Sequence, residues 1–117
     1  MMIGNDLTTQ AIEWALKGLE RRSQVSANNI ANAETPGFRA SAVDFEGQLR
    51  SALGAGRISR IAEPTLSPTT TPVSVSGNNV RLEDELVGMI QTNLRKNAMV
   101  EAFNYKAGLL RTALRTQ

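Results

Sequence analysis

The feature that most constrains this 117-residue chain is an apolar seam near its C-terminus. Alternating steps of four and three from Leu82 pick out Leu82, Leu86, Met89, Asn93, Lys96, Val100, Phe103, Ala107, Leu110 and Leu114, and eight of these ten positions are apolar. The rhythm holds over more than four heptads, with no proline and only Gly88 and Gly108 to weaken it. It predicts one helix of about 35 residues and ~50 Å. Asn78 or Asn79 is placed to cap its start, Glu83, Asp84 and Glu85 fill its first turns, and Arg111 and Arg115 lie near its end. These charges complement the helix dipole. Asn93 and Lys96 interrupt the stripe, either as register-fixing polar residues or as a simple break.

A helix of that length cannot hide its stripe inside so short a chain. Residues 6–32 repeat the rhythm less cleanly through Ile12, Leu16, Leu19, Ser23, Ser26 and Ile30. The middle of this second seam is polar, so a two-helix pair buries little against a backbone entropy cost of ~1–2 kcal/mol per ordered residue. Two outcomes stay open: a marginal hairpin, or helices completed by neighbouring copies.

Hydrophobic residues make up 41% of the chain but aromatics only 4%, so the core must be aliphatic, which favours helices over a β-sandwich. The expected fold is all-α: long N- and C-terminal helices pair as an antiparallel or obliquely packed coiled coil, flanking an irregular middle. Segments 1–36, 37–79 and 80–117 separate by composition, and the length suits one folding unit overall. From Gly54 to Asn79 the chain carries Pro64, Pro68, Pro72, three consecutive threonines and three glycines, which no long helix can cross. Phe45, Leu49 and Leu53 suit one short helix, and the alternation Val73-Ser74-Val75-Ser76 suits a short edge strand. The rest of the middle is expected to be extended or mobile chain.

With no Cys and no His, disulfides, thiolate nucleophiles, His-based triads and nearly all zinc or copper sites are excluded. No catalytic residue, metal or cofactor is expected. Glu83, Asp84 and Glu85 could be read as paired carboxylates, but adjacent helical residues point to different faces, and dipole complementation is the simpler reading. The net charge of +2 is a small excess, not a basic patch. Arg95, Lys96, Lys106, Arg111 and Arg115 suit a solvated or intersubunit face better than a nucleic-acid site, and Trp14 suits a packing anchor. The longest apolar stretch, Leu86 to Ile90, is far short of the ~20 residues a membrane span needs. The first residues lack the pattern of a cleaved signal peptide. The chain is expected to stay in the cytoplasm or to leave it uncut.

The densest local signal runs from Ser26 to Arg39: Ala27-Asn28-Asn29-Ile30-Ala31-Asn32, then Thr35-Pro36-Gly37-Phe38. Three asparagines within five residues are poor helix formers, and Pro36-Gly37 matches the central pair of a type II turn, with glycine at the φ > 0 position. Helix termination accounts for Asn32 and the turn. Either helix termination is the whole account, leaving Asn28 and Asn29 without a role, or their amides make specific hydrogen bonds to a partner helix.

At these residues the chain resembles the bacterial flagellar axial proteins of rod and hook, whose signature is an Asn-rich helix end running into Thr-Pro-Gly-aromatic. Phe38-Arg39-Ala40, Val43-Asp44-Phe45 and Gly77-Asn78-Asn79-Val80 make it most similar to the proximal rod members. Phe38 stands where many members have Tyr, which keeps the ring and drops a hydroxyl. The resemblance implies a structural subunit that assembles helically into a tube with copies of itself and other rod proteins, and so transmits torque. It also implies contacts at the rod base with ring or export-gate proteins, and type III export to the periplasmic rod. The implied subunit-interface residues are Ile12, Leu16, Leu19, Asn28, Asn29, Ile30, Asn32, Leu82, Leu86, Met89, Val100, Phe103, Leu110 and Leu114, with Thr35, Pro36, Gly37 and Phe38 as the turn. Two rivals remain: a small helical adaptor or chaperone that receives an amphipathic partner helix, and a basic nucleic-acid binder.

Overall fold

The computed structural model describes residues 6–56 and 63–115; the part of the expected extended middle at 57–62 lies outside them. Five elements follow in order: helix α1 (Leu7–Ala31), strand β1 (Ser41–Asp44), helix α2 (Glu46–Ala55), strand β2 (Thr65–Pro68) and helix α3 (Leu82–Arg115). The long N- and C-terminal helices pack together as expected. Their direction follows from three pairings: Lys106 with Asp6, Lys96 with Glu20, and Asn29 with Glu85. One sequence number rises as the other falls, so α1 and α3 are antiparallel. The described chain measures 67 × 26 × 15 Å, an elongated body of whose long axis α3 supplies about 51 Å.

Asp6 begins α1 by accepting the Thr9 N–H on Oδ1 at 2.7 Å, which satisfies one of the free donors of the first turn. The core gathers Trp14, Ala15, Leu19 and Val25 from α1, Val43 and Phe45 from the chain entering α2, and Ala52 from α2. Ala11, Leu49 and Met99 pack at its margin. Met99 is the part of α3 in this cluster, so α1 and the middle segment form the core largely between themselves. Phe45 sits on Gly18: a Cβ there would lie 2.4 Å from the ring. The glycine costs helix propensity of about 1 kcal/mol, and the close seat of an aromatic ring is what requires it. Trp14 meets the same ring with centroids 5.9 Å apart, as the packing anchor expected of it.

The apolar seam of α3 lies only partly against α1. Leu82, Leu86 and Val100 are exposed, whereas Phe103 and Leu110 are half-buried and Ala107 is buried. Met89, Lys96, Phe103 and Leu110, each seven residues apart, are half-buried, so this row of the seam turns toward α1, while Asn93 and Leu114 stay exposed with Leu82, Leu86 and Val100. The side that faces α1 mixes small and polar residues, Gly88, Thr92, Lys96 and Ala107, with the half-buried Met89, Met99, Phe103 and Leu110.

The edge strand expected at Val73–Ser76 is absent. Gly77, at φ +83°, closes a tight turn there: the Gly77 N–H donates to Ser74 O at 2.9 Å and the Ser74 N–H to Asn78 O at 2.8 Å. That is a type I turn with a glycine bulge, and it overrides two valines of high strand propensity. The strands are β1 and β2, paired antiparallel with Val43 opposite Leu66. Neither Asn78 nor Asn79 caps α3, which starts beyond them at Leu82; both side chains are engaged elsewhere. The short helix expected from Phe45, Leu49 and Leu53 is present as α2, ending in the left-handed Gly56.

Candidate functional site

The Asn-rich end of α1 and the two loops beside it form one hydrogen-bonded corner. Asn29, 2% exposed, uses its side-chain amide as a strand would use its backbone: Oδ1 accepts the Ser41 N–H at 3.2 Å, and Nδ2 donates to Ser41 O at 2.8 Å. Nδ2 also donates to Glu85 Oε2 at 3.3 Å, which ties the start of α3 to the same point. Asn79 accepts the Ala40 N–H at 2.6 Å and donates to Thr69 Oγ1 and Thr71 O. Asn78 donates to Asn32 O and Thr35 O at 2.8 and 2.7 Å, while its Oδ1 accepts the Val80 N–H. Five of these acceptors and donors are backbone groups of irregular chain that no helix or strand satisfies.

The turn behaves as its residues predict. Gly37 has φ +75°, and the Phe38 N–H donates to Thr35 O at 3.2 Å. Asn32 supports it from the helix end, donating to Asn28 O and accepting from Thr35 Oγ1. The Gly37 N–H donates to Ser76 O, so this turn and the Ser74–Gly77 turn lie against each other, glycine to glycine.

Below the corner, Arg22 holds the elbow between α1 and α2. Its guanidinium makes a two-pronged pair with Glu46 at 2.6 and 2.8 Å, donates to Val43 O at 2.7 Å, and lies 4.7 Å from the centre of the Phe45 ring. The Arg22 bond holds the Glu46 carboxyl below the ordinary carboxylate range. At the far end of the hairpin, Lys106 beside Asp6, with the Thr9 N–H, pulls that carboxyl from 3.8 down to about 2. Of the basic set, Arg95, Lys96 and Lys106 pair with Glu46, Glu20 and Asp6 at the surface, with Arg95 still 59% exposed, and Arg111 and Arg115 are exposed. Arg22 and Gly18 escaped the sequence reading. A glycine in a helix interior was the available signal.

Two of the expected interface residues are consumed internally: Leu19 and Asn29 are each 2% exposed, one in the core and one in the corner. Ile12, Leu16, Ile30, Asn32 and Met89 are half-buried, and Asn28, Leu82, Leu86, Val100 and Leu114 are exposed. A second apolar surface lies outside the expected set. Val87, Ile90, Leu94, Tyr105 and Leu109 are all more than half exposed and, at 100° per residue, share the side of α3 away from α1. A helix apolar on several faces belongs in an interior, and one chain covers only one side of α3.

The family model for "Flagella basal body rod protein" matches residues 14–39, from the core tryptophan of α1 through the asparagine corner and the turn. The flagellar basal body rod protein FlgB of Bacillus subtilis (strain 168) is 30% identical over 121 residues, covering 92% of both chains. The chain belongs to the FlgB family of flagellar basal body rod proteins. The FlgB proteins of Aeromonas hydrophila and Escherichia coli (strain K12) are 29% and 27% identical, covering 95% and 77% of this chain and 96% and 80% of their own. As a FlgB-type rod subunit the chain is a structural part of the flagellar basal body. No described helix is long and apolar enough to cross a membrane.

Proposed function

We propose that this rod subunit joins the proximal rod through α3, whose two uncovered apolar faces pack against copies of the chain and against other rod proteins in a helical, torque-bearing tube. The observation that carries this reading is the row Val87, Ile90, Leu94, Tyr105 and Leu109 on the side of α3 opposite α1. Contiguous apolar surface of this kind marks an interaction site in a protein that is otherwise well paired. Leu82, Leu86, Val100 and Leu114 extend it, with Ile12, Leu16, Met89, Phe103 and Leu110 as partly covered members, while Ile30, Asn28 and Asn32 offer contacts at the corner. The segments 1–36, 37–79 and 80–117 act as one folding unit, supported by the core that α1 and the middle segment share. The role is structural without catalysis; its further partners are ring or export-gate proteins at the rod base and the export machinery. The place of the chain is the periplasmic rod.

The test compares Leu94→Asp with wild type. The side chain is 64% exposed, so the isolated variant should melt as wild type does. It should nevertheless be missing from purified basal bodies and leave cells non-motile. Normal incorporation of Leu94→Asp would refute the role given to this face.

A further inference from the structure

At the corner end of the hairpin one loop carries both a projection and a recess. The turn Ser74–Gly77 holds Val75 at its tip with a relative exposure of 110%, so its side chain touches nothing in the chain. Val73 beside it is 44% exposed. The two legs of the same loop, Pro72 to Ser74 and Asn78 to Arg81, line a hollow of about 230 Å³. Neither feature rests on a slack loop. The turn is closed by its two internal hydrogen bonds, braced by the Gly37 N–H on Ser76 O, and anchored through the three bonds each of the Asn78 and Asn79 side chains. A side chain presented by so constrained a backbone loses little freedom on binding, which favours its use as a contact.

Resting on the rod-subunit reading, we propose that the Val75 tip of one copy of this chain enters the Pro72–Arg81 hollow of the next copy. The occupant is argued from the chain itself. In a heterologous, non-closing assembly each copy must present two different, complementary surfaces, and here both belong to a single loop. The charges agree with that pairing. Arg81 lines the hollow, and Glu34 directly precedes the Thr35–Phe38 turn that braces the tip. Both are exposed, and neither has an ion-pair partner among the described residues. Docking the tip of one copy in the hollow of the next brings the acidic shoulder of the first toward the basic wall of the second.

The chain has no native cysteine, so introduced thiols report one contact cleanly. Two chains, Val75→Cys with one epitope tag and Val80→Cys with another, are co-expressed, and basal bodies are purified and mildly oxidised. The expected product is a disulfide dimer bearing both tags, absent when either chain is expressed alone. Independently, Glu34→Arg and Arg81→Glu should each narrow the swimming zone, and the double reversal should restore it. Basal bodies that contain both chains but yield no mixed-tag dimer, or a crosslink to a different protein, overturn the proposal and leave the rod reading intact. A double reversal no better than the single ones overturns it too. A wild-type chain absent from basal bodies would instead refute the rod reading.

Discussion

Asn29 occupies a helical position yet pairs with Ser41 as a neighbouring strand would, so one side chain decides where the chain leaving α1 turns back. Asn29→Ala leaves the N–H and C=O of Ser41 without partners and should destabilise the isolated chain by about 1–3 kcal/mol in urea titration. Asn29→Asp should cost more, because it removes the donor to Ser41 O and sets a second carboxylate beside Glu85. Gly37 makes a different demand. Nothing lies within 4 Å of where its Cβ would be, so only its φ of +75° opposes a side chain. Gly37→Val should therefore cost ~1–2 kcal/mol of backbone strain, leave export of the subunit intact and impair rod assembly; normal swimming by that strain would contradict it. Asp6 sets an acid limit. Its folded pKa lies below its unfolded value, so its pairing with Lys106 stabilises the chain fully above about pH 4 and is lost as pH falls toward 2. Asp6→Asn keeps an N-cap and Asp6→Ala does not, but neither titrates, so both should flatten this part of the acid-unfolding curve, with Asp6→Ala less stable at every pH.

For α3 the useful distinction is between the face held by α1 and the faces left open. Met99 reaches the core margin, so Met99→Asp should destabilise the isolated chain by at least ~2 kcal/mol. Leu94→Asp should spare stability and abolish assembly, and equal effects on both properties from both variants would mean that the two faces are misassigned. Much of this helix was legible beforehand: its length, its acidic first turn and the absence of breakers fix a span that the fold reproduces as Leu82–Arg115. Its orientation was legible only in part, because a heptad template tracks a single stripe: Met89, Lys96, Phe103 and Leu110 turn toward α1, whereas Leu82, Leu86, Val100 and Leu114 stay exposed. Val87, Ile90 and Leu94 follow the same four-three spacing on another side and stayed outside that template. The middle segment shows a different limit. Phe45, Leu49 and Leu53 announced α2, but the β1–β2 pairing joins residues more than twenty positions apart, and no local pattern encodes that register. The reach of Asn78 and Asn79 across to α1 is equally non-local. Their proximity to the helix start suggested a cap, whereas the greater need lay in the unpaired backbone of the corner.

At the scale of the whole molecule, the apolar surface is divided unevenly between what the chain buries and what it leaves for others. Trp14, Leu19, Val25, Val43, Phe45 and Ala52 give α1 and the middle segment a shared core, whereas α3 is held along a partly polar strip by Met99 at the core margin and by ion pairs at Glu20, Asp6 and Glu46. Ion pairs this exposed contribute ~0–1 kcal/mol each. The local stability of the isolated chain should therefore be graded, with α3 opening well below the free energy of α1 and β1. Hydrogen exchange followed by mass spectrometry reads this directly. In the isolated chain the amides of residues 86–110 should exchange ahead of those of residues 14–25 and 41–45, and raised salt should widen the gap by screening the pairs that hold α3. In purified basal bodies the order should change, because neighbours cover the outer faces of α3 and its amides become at least as protected as those of α1. Uniform protection in the isolated chain would mean that this strip binds α3 more tightly than its chemistry allows. Persisting fast exchange of α3 inside the rod would mean that its apolar faces remain open after assembly, and the contact surface would then have to be sought on α1.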